Sequence, residues 1–472
     1  MFLSQQDIVT GLIALGIIGI ATLLLQLAMK RQYVAATYAR KYLHVAAIVT
    51  CAWAIARFHN LWLLAGVFVC SAAILYIALR KGFMQVGQGR SYGIAFFPLA
   101  FAVLLIWPGV DREAVVLAVL VLGISDAAAG WAGSYFDSNQ AKFLYETKSW
   151  LGFVVFFITA FITACVYIGS VESGVWLFCY CFALVPALSE LFSYKGSDNF
   201  TVPIIAAVWY GLLQQFTGQH LFDLALFSVL LLLLSLAAIY RNWLMPGGAA
   251  AAALLGLLFF AADGYRAMAL PVLFLVTGSL LSKLNGEKEE SGGRSAVQVF
   301  ANGGVGAVCW VLHQTTGQFI FSVAAMMSFA IAMSDTVSAE WGKYRKGRTY
   351  DLLRWKQVPV GLSGGVSWAG TRAGLLAAFV AAGLAGWLYR LHWTTVLSIG
   401  GVGFIGMLAD SVLGSRWQAL YQLPNGEMAE APQPDSRLVK GKAWCTNHTV
   451  NLLSNTLTIS LIILFFYFLT QV

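Results

Sequence analysis

The chain has 472 residues, of which 59% are hydrophobic and 11% are charged, and its mean hydropathy is +0.76. Apolar stretches this long exceed what a compact core can bury, so the composition excludes a water-soluble globular protein. The net charge of +8 does not indicate a nucleic-acid partner, because the basic residues cluster in short segments between apolar runs.

About 16 apolar runs approach the roughly 20 residues that a helix needs to cross a bilayer. The first three are residues 8–29, 42–59 and 61–79. A transmembrane β-barrel would instead show short alternating segments. The first run is followed by Lys30-Arg31 and lacks a small-residue cleavage site, so we interpret it as an anchor. The sequence predicts an all-α polytopic integral membrane protein in contact with membrane lipids.

The basic segments predict the orientation of the chain, because short loops rich in Lys and Arg stay in the cytoplasm. These segments contain Lys30, Arg31, Arg40, Lys41, Arg80, Lys81, Arg90, Lys142, Lys148, residues 343–348, Arg437, Lys440 and Lys442. The N-terminus is then outside, and the acidic motifs lie at or near cytoplasmic helix ends. In a bacterium this membrane would be the inner or plasma membrane, with the active sites facing the cytoplasm.

Four motifs occur twice in the same order along the chain. The pairs are Ser125-Asp126 with Ser334-Asp335, Ser149-Trp150-Leu-Gly152 with Ser367-Trp368-Ala-Gly370, Glu190 with Asp410, and Asn199-Phe-Thr201 with Asn447-His-Thr449. Shared order at a long period indicates a repeated structural unit. We therefore predict two parallel repeats of about eight spans each, residues 1–220 and 221–472, with the Ser-Asp motif ending the fifth span of each.

Acidic residues at the ends of apolar helices are costly to dehydrate and need a partner. The first half combines Asp126, Glu190 and Asp198 with Lys142 and Lys148. The second half combines acidic with basic residues in the same way, namely Asp335, Glu340, Asp410, Lys343, Arg345, Lys346, Arg348 and Lys356. Oxygen ligands suit Mg²⁺, and basic groups neutralise phosphate oxygens. The alternative interpretation is helix-end solvation combined with positive-inside charge.

Two glycine-rich stretches allow either close approach to phosphate or close helix packing. They are Gly361-Leu-Ser363-Gly364-Gly365-Val-Ser367 and Ala301-Asn302-Gly303-Gly304. A Walker A pattern is absent from the sequence, so a nucleotide site here is not a P-loop site. The seven cysteines and six histidines show no zinc-binding spacing. Asn199 and Asn447 match the glycosylation sequon, but we assign them to the predicted cytoplasmic sites.

The first half resembles the polyprenol kinase family of phytol and dolichol kinases, relatives of the membrane cytidylyltransferases that make CDP-diacylglycerol. The resemblance covers about residues 40–210. It rests on Arg40-Lys41-Tyr-Leu-His44, Arg90-Ser-Tyr92-Gly93, Ser125-Asp126-Ala-Ala-Ala-Gly130, Lys148-Ser149-Trp150-Leu151-Gly152, Ser189-Glu190 and Lys195-Gly196-Ser-Asp198-Asn199. Leu151 stands where the family usually has Glu, so either Glu146 substitutes for that carboxylate or this half is weakened.

The second half resembles the phytyl-phosphate kinase family over about residues 230–470. The motifs are Arg294-Ser-Ala-Val-Gln298-Val-Phe-Ala-Asn302, Ser334-Asp335-Thr336 with Glu340, Gly364-Gly365-Val-Ser367 with Gly370-Thr371, Asp410-Ser411, and Asn447-His448-Thr-Val450-Asn451. His448 stands where the family commonly has Asp.

The resemblance implies a two-step enzyme that phosphorylates a long-chain isoprenoid alcohol such as phytol, geranylgeraniol or farnesol to the monophosphate and then to the diphosphate. It implies Mg²⁺ as cofactor and CTP as donor, although nothing in the residues distinguishes CTP from ATP. We assign metal binding to Asp126, Glu190 and Asp198 in the first site and to Asp335, Glu340 and Asp410 in the second. Catalytic roles also fall to Lys148 as phosphate clamp, Asn199 and Asn447.

The predicted nucleotide- and phosphate-binding residues are Arg40, Lys41, His44, Arg90, Lys142, Ser149, Arg294, Asn302, Lys343, Arg348, Lys356, Gly364, Gly365, Ser367, Thr371 and Asn451. Three alternatives stay open: a cytidylyltransferase that makes a CDP-lipid, an ion-coupled lipid or isoprenoid transporter, and a protein in which one half is inactive. Carriers tend to place acids at the membrane midplane, whereas these acids are predicted at one face.

Overall fold

The computed structural model describes residues 4–81, 93–107, 110–136, 140–144, 146–169, 173–285 and 293–471. It is predominantly helical, which confirms the predicted all-α polytopic fold class. In the described ranges, eleven helices are long and apolar enough to cross a membrane. The chain divides into two compact units, Met1–Leu234 and Ser235–Val472, so the division falls later than the predicted residue 220.

The helices that begin in the first unit are α1 (Gln5–Lys30), α2 (Ala36–Arg57), α3 (Leu61–Arg80), α4 (Gly93–Ile106), α5 (Arg112–Val121), α6 (Ala127–Tyr135), α7 (Trp150–Ile168), α8 (Ser173–Glu190), α9 (Asp198–Leu213) and α10 (Gly218–Tyr240). A π-helical segment, Leu122–Asp126, joins α5 to α6 into one continuous span. The predicted span 42–59 corresponds to α2. This helix is not one of the eleven candidate membrane-spanning helices, because it carries several polar and charged residues.

The second unit contains α11 (Pro246–Leu284), α12 (Ala296–Thr316), α13 (Phe319–Arg345), α14 (Trp368–Tyr389), α15 (Trp393–Trp417) and α16 (Asn447–Gln471). Helix α11 bends at Asp263 and Gly264, whose backbone angles are not helical, and Gly264 has a φ of +57°. Glycine adopts this left-handed conformation without a Cβ penalty. The bend divides α11 into two helical segments.

Short strands form the connections beside the repeated motifs. In the first unit, β1 (Gln140–Lys142) pairs antiparallel with β2 (Thr147–Ser149). In the second unit, β3 (Thr349–Asp351) pairs with β4 (Gln357–Val358) and β5 (Gly365–Ser367) between α13 and α14. The α15–α16 connection contains β6 (Leu420–Gln422), β7 (Met428–Ala429) and β8 (Arg437–Lys440).

Each Ser-Asp motif lies in the fifth helical segment of its half, as predicted. The motifs do not end these helices, which is where the prediction was wrong. Asp126 lies in the fifth helix when α5, the π segment and α6 are counted as one. Asp335 lies in the fifth helical segment counted from α10, with the two segments of α11 counted separately. Both helices continue past the aspartate, to Tyr135 and Arg345, because small and aromatic residues that are compatible with a helix follow it.

Small residues bring the central helices of the second unit close together. A Cβ added at Gly406 would lie 2.5 Å from Ile331 Cγ1, and one at Gly374 would lie 2.4 Å from Met407 Sδ. These contacts join α13, α14 and α15 around buried alanines of α13. Membrane helices associate through such small residues because lipid provides no hydrophobic drive between them. Exposed Leu, Ile and Phe side chains cover the outer faces, for example along α1 and α10, as expected for contact with lipid.

Candidate functional site

Three carboxylates of the first unit converge from three separate elements. Asp126 ends the π segment, Glu190 ends α8 and Asp198 begins α9. One oxygen of each lies within 4.8 Å of the other two. The convergence agrees with the predicted metal set for this half.

Local backbone features explain why these carboxylates meet. Between α8 and α9 the chain turns through Lys195 (φ 49°) and Gly196 (φ 87°), which places Glu190 and Asp198 on one side of the turn. The π segment inserts an irregular turn before Asp126, and such segments often occur at functional sites. It packs against α2, since a Cβ added at Gly123 would lie 2.6 Å from Ile48 Cγ2.

Lys148 forms an ion pair with this cluster. It lies on β2, and its Nζ donates to Glu190 Oε1 at 2.5 Å and to Ser193 Oγ at 2.7 Å. Burial disfavours its charge, but the attraction of Glu190, with smaller contributions from Asp198 and Asp126, outweighs burial and raises the pKa of Lys148 above its ordinary value. Lys148 therefore stays protonated next to the carboxylates.

Helix α2 adds basic groups on the other side of Asp126. His44 Nε2 lies 3.8 Å from Asp126 Oδ2. Lys41, one helical turn earlier, approaches α6, since a Cβ added at Gly130 would lie 3.6 Å from Lys41 Nζ. The structure thus brings the predicted residues Lys41 and His44 to the Asp126 side of the site.

Asn199 contributes a buried polar atom beside the carboxylates. Its backbone N–H donates to Asp198 Oδ1 at 2.9 Å, whereas its side-chain Oδ1 is buried and has no hydrogen-bond partner among the described residues. Gly93 makes room for this side chain, because a Cβ there would lie 2.5 Å from Asn199 Nδ2. Three carboxylates and an amide oxygen are a donor set that fits a hard divalent cation such as Mg²⁺.

Other predicted residues of the first half take different positions. Ser149 Oγ accepts from Gly152 N at 2.8 Å and thereby caps α7, so its side chain is used structurally. Lys142 lies on β1 with an exposed side chain. Glu146 Oε1 accepts from Lys195 N at 3.0 Å, which joins the two connections of this unit. Arg90 lies outside the described residues, and for Arg40 only the backbone is described.

The second unit contains a cavity of about 390 Å³ with a polar and an apolar part. Predicted site residues that line it are Arg294, Asn302, Asp335, Glu340, Lys343, Gly364, Gly365, Ser367, Asp410, Asn447 and Asn451. Apolar residues from both segments of α11 and from α13 also line it, including Leu255, Phe259, Met268, Phe274 and Phe329. The bend in α11 allows both of its segments to face one cavity.

Two of the three predicted acidic residues of this cavity accept side-chain hydrogen bonds. Asp410 Oδ2 accepts from Ser454 Oγ at 2.9 Å. Glu340 Oε2 accepts from Asn285 Nδ2 at 2.8 Å, and Glu340 Oε1 lies 3.3 Å from Lys343 Nζ. Within the described ranges, Asp335, Glu340 and Asp410 do not form a group as tight as the one in the first unit. A metal site built on all three stays a prediction.

Two of the three predicted asparagines of the second half, Asn302 and Asn451, contact each other at the cavity wall. Asn451 Nδ2, on α16, donates to Asn302 Oδ1, on α12, at 3.4 Å. Asn451 Oδ1 is buried without a hydrogen-bond partner in the part of the chain that the structure describes. The side-chain oxygen of Asn199 in the first unit is likewise buried and unpaired among the described residues.

The two glycine-rich stretches have different backbone structures, one a loop and the other part of a helix. We call Gly361–Gly365 the glycine segment; it lines the cavity, and Gly361 and Gly364 adopt φ values of 86° and 79°. Ala301–Gly304 instead lies inside α12, where Gly303 packs closely on Leu255. The phosphate-loop interpretation is therefore wrong for Ala301–Gly304, because its N–H groups belong to a helix.

Three predicted residues do not line the cavity, namely Arg348, Lys356 and Thr371. Arg348 and Lys356 are exposed residues at the β3–β4 hairpin. Thr371 lies on the first turn of α14, beyond Ser367, the last lining residue of that connection. Residue type and position in the sequence did not show that these three residues lie outside the cavity wall.

Sequence reasoning missed Glu430, which lines the cavity from the α15–α16 connection. Its Oε1 accepts from Ser363 N at 2.9 Å. Burial raises the pKa of Glu430 above its ordinary value, against opposing effects of the Ser363 N–H and Lys343. Glu430 belongs to none of the repeated motifs, so the repeats do not indicate it.

The paired Ser-Trp motifs adopt the same local structure in both units. Ser367 Oγ accepts from Gly370 N at 3.1 Å and caps α14, as Ser149 caps α7. A Cβ added at Gly133 would lie 3.3 Å from Ser149 Oγ, and one at Gly342 would lie 3.2 Å from Ser367 Oγ. Each capping serine is thus packed against the helix that carries the Ser-Asp motif.

Comparison with known proteins relates part of the chain to a membrane-protein family. Residues 229–459 match the family model described as "Integral membrane protein DUF92". This region lies mostly in the second unit. The second half is thus similar to a family of integral membrane proteins, whereas its predicted resemblance to phytyl-phosphate kinases and the fusion of two enzymes stay predictions.

Individual relatives are similar to less than half of this chain. "Protein VTE6, chloroplastic" of Arabidopsis thaliana is 29% identical over 241 residues, which cover 48% of this chain and 67% of the relative. "Uncharacterized membrane protein sll0875" of Synechocystis is 28% identical over 204 residues, covering 39% and 77% respectively. "Protein PGR" of Arabidopsis thaliana is 28% identical over 233 residues, covering 41% and 80%. No solved structure matches the chain.

Proposed function

We propose that this protein phosphorylates a long-chain isoprenoid alcohol in its first unit and the resulting monophosphate in its second unit, with CTP as donor. The observation that carries the proposal is the cavity of the second unit, which combines acidic, basic and glycine-rich walls with an apolar wall. Such a cavity is complementary to a molecule with a phosphate at one end and a hydrocarbon chain at the other.

The polar wall supplies the groups that phosphoryl transfer needs. Arg294 and Lys343 place positive charge at the cavity, and the glycine segment brings backbone close to the ligand. Transferring a phosphoryl group requires mainly positioning and charge neutralisation. The chemistry in this unit would form a bond between a monophosphate oxygen of the lipid and the γ-phosphorus, and break the bond from that phosphorus to the nucleoside diphosphate.

The apolar wall supports an isoprenoid substrate. Leu255 and Phe259 precede the bend in α11, Met268 and Phe274 follow it, and Phe329 lies on α13. Burying each CH₂ group of a hydrocarbon chain contributes about 0.8 kcal/mol. The apolar wall would therefore hold the tail while the phosphate remains near Asp335 and Lys343.

The first unit offers the groups for the first transfer. Asp126, Glu190 and Asp198, with Asn199 Oδ1, would hold Mg²⁺, which when bound neutralises and orients the phosphates of the donor. Lys148 would donate to a phosphate oxygen and thereby stabilise the transferring group. The hydroxyl oxygen of the alcohol would form a bond to the γ-phosphorus while the bond from that phosphorus to CDP breaks, and the hydroxyl proton would pass to water.

The proposal is tested with the purified full-length protein in lipid nanodiscs. Phytol, geranylgeraniol and farnesol would each be incubated with Mg²⁺ and either CTP or ATP, and the lipid and nucleotide products identified by mass spectrometry. We expect prenyl diphosphate and two equivalents of CDP for each diphosphate formed. The control is the double variant Asp126→Asn/Asp335→Asn, for which we expect neither product.

Other outcomes identify the rival activities. A CDP-lipid together with pyrophosphate would identify a cytidylyltransferase. Nucleotide-independent flux of lipid or ions across proteoliposomes, without any phosphorylated prenol, would identify a transporter. The proposed cytoplasmic orientation is tested separately, by labelling a single cysteine placed at the exposed residue Lys356 in sealed vesicles.

A further inference from the structure

Two long connections of the second unit are tied together beside the cavity. The first, residues 346–367 between α13 and α14, contains the glycine segment, and the second, residues 418–446 between α15 and α16, contains Glu430. Glu430 Oε1 accepts from Ser363 N, in the centre of the glycine segment, at 2.9 Å. The carboxylate also lines the cavity, so it is adjacent to the space that the substrate would occupy.

Further contacts fix the same segment from the same side. Ser363 Oγ donates to Oε1 of Gln418, a residue whose side chain is 2% exposed. A Cβ added at Gly364 would lie 2.4 Å from Ser415 N, and one at Gly414 would lie 2.6 Å from Ser363 Oγ. The glycine segment therefore packs against the end of α15 and the start of the second connection.

Anion binding by a glycine-rich backbone depends on its conformation. Gly361 and Gly364 adopt left-handed φ values. The N–H groups of Leu362, Ser363 and Gly365 donate to Pro359 O, Glu430 Oε1 and Leu362 O, so in this segment the N–H groups of Gly361 and Gly364 are the ones that can bind an anion. A backbone of this kind loses its anion-binding geometry when its conformation is not held. Glu430 is the charged group that holds the central residue of the segment.

We propose that Glu430 is a positioning residue that holds the glycine segment in the conformation in which it binds phosphate. The inference rests on the proposed function for the identity of this phosphate, which belongs either to the nucleotide donor or to the lipid monophosphate. Glu430 acts through Ser363, because Glu430 Oε1 accepts a hydrogen bond from the Ser363 backbone N–H.

The first unit contains a related contact. Glu146, in the connection between α6 and α7, accepts from Lys195 N in the connection between α8 and α9 at 3.0 Å. In both units a glutamate on one connection thus accepts from a backbone N–H of the other. The direction is reversed, since the glutamate lies on the earlier connection in the first unit and on the later one in the second.

The test compares Glu430→Ala, Glu430→Gln and the matched control Glu427→Ala, an exposed glutamate at the turn between β6 and β7. Gln retains an oxygen that can accept from Ser363 N, whereas Ala retains none. Hydrogen–deuterium exchange of peptides covering residues 361–365 is measured with and without Mg²⁺ and inorganic pyrophosphate, a probe that needs no turnover. Size-exclusion chromatography establishes that each variant is folded.

We expect amide exchange in the segment to rise at least tenfold in Glu430→Ala, and protection by pyrophosphate to disappear. Glu430→Gln should retain most of the protection, and Glu427→Ala should match the unmodified protein. In the phosphorylation assay, Glu430→Ala should raise KM for the nucleotide about tenfold with a smaller change in kcat.

The proposal is overturned by unchanged exchange in Glu430→Ala, and equally by an unmodified protein whose glycine segment is not protected by pyrophosphate. A Glu430→Gln variant that loses activity completely while it keeps normal exchange would also overturn it, because the carboxylate would then act directly on the substrate. If the unmodified protein phosphorylates no prenol but its segment is protected as expected, the proposed reaction fails and the positioning role stands.

Discussion

At the scale of single residues, Lys148 is the clearest case of a side chain with two roles. It neutralises Glu190, and its ammonium group lies next to three carboxylates that would hold a metal. Its side chain is 20% exposed, so a phosphate can reach it from the site. A methionine has a similar length but cannot donate a hydrogen bond or neutralise charge.

We predict that Lys148→Met lowers the rate of alcohol phosphorylation about 10²–10³-fold, the usual effect of removing one preorganised donor. Formation of diphosphate from added monophosphate should not change. Both rates are measured by mass spectrometry, and Lys30→Met, at the exposed end of α1, serves as control. Equal rates of alcohol phosphorylation in Lys148→Met and the control would remove Lys148 from the site.

Gly364 illustrates how a single backbone position shapes the second site. Its φ is 79°, and an added Cβ would lie 2.4 Å from Ser415 N and 2.5 Å from Ser415 Cα. Both atoms belong to the backbone, so rotation of a side chain cannot relieve the clash. Gly347, in the same connection, has no atom within 4 Å of an added Cβ.

We predict that Gly364→Ala lowers the free energy of unfolding by about 2–4 kcal/mol, from the left-handed backbone and the overpacking together. Gly347→Ala should change it by less than about 1 kcal/mol. Denaturant unfolding of both variants in detergent, followed by tryptophan fluorescence, measures the difference. Similar values for the two variants would contradict the packing described here.

At the scale of elements, Asp351 joins the two connections of the second unit. It ends β3 and accepts from Leu353 N and Arg354 N, both at 3.0 Å, and from Ser415 Oγ at 2.7 Å. Lys440, on β8, lies 3.7 Å from its other oxygen. Burial opposes the charge of Asp351, but these hydrogen bonds and Lys440 outweigh burial and lower the pKa of Asp351 below its ordinary value.

The direction of this shift fixes how stability depends on pH. A carboxyl group with a lowered pKa in the folded state stabilises the protein above its unfolded pKa of about 3.9 and loses that contribution as the pH falls. We predict that Asp351→Asn lowers the free energy of unfolding by about 1–3 kcal/mol at pH 7. The difference from the unmodified protein should shrink steadily below about pH 4.

Thermal unfolding in detergent at pH 7, 5, 4 and 3 measures this dependence. Asp435→Asn is the control, because Asp435 is an exposed carboxylate in the α15–α16 connection. A difference between Asp351→Asn and the unmodified protein that is independent of pH would show that the charge of Asp351 does not contribute.

At the scale of the whole molecule, the chain contains two compact units, each with its own acidic site. Asp126 belongs to the first site and Asp335 to the second, and each lies on the helix that packs against a capping serine. Two separate sites predict two separable reactions.

We predict that Asp126→Asn abolishes alcohol phosphorylation and leaves conversion of added monophosphate to diphosphate within about twofold. Asp335→Asn should do the reverse, so that monophosphate accumulates from the alcohol. Each loss should reach at least about 10²-fold, since a carboxylate that would hold the metal neutralising the reacting phosphates contributes several kcal/mol. Loss of both steps in either single variant would contradict independent sites.

The sequence by itself determined the fold class and much of the first site. Apolar runs bury their backbone hydrogen bonds within one helix, so their number and extent can be read locally. The repeated motifs pointed to Asp126 and Glu190, and the charged residues at the helix ends pointed to Asp198 and Lys148, which the structure brings together with them.

Tertiary structure alone decided the shape of the second site. The bend at Asp263 and Gly264, the apolar wall from both segments of α11, and the placement of Glu430 against Ser363 depend on contacts between residues far apart in the chain. Tertiary packing also brought Gly303 of α12 against Leu255 and left Arg348 exposed, away from the cavity. Residue type and spacing indicate which groups can bind a ligand, but only the packing of distant segments determines which of them face the same cavity.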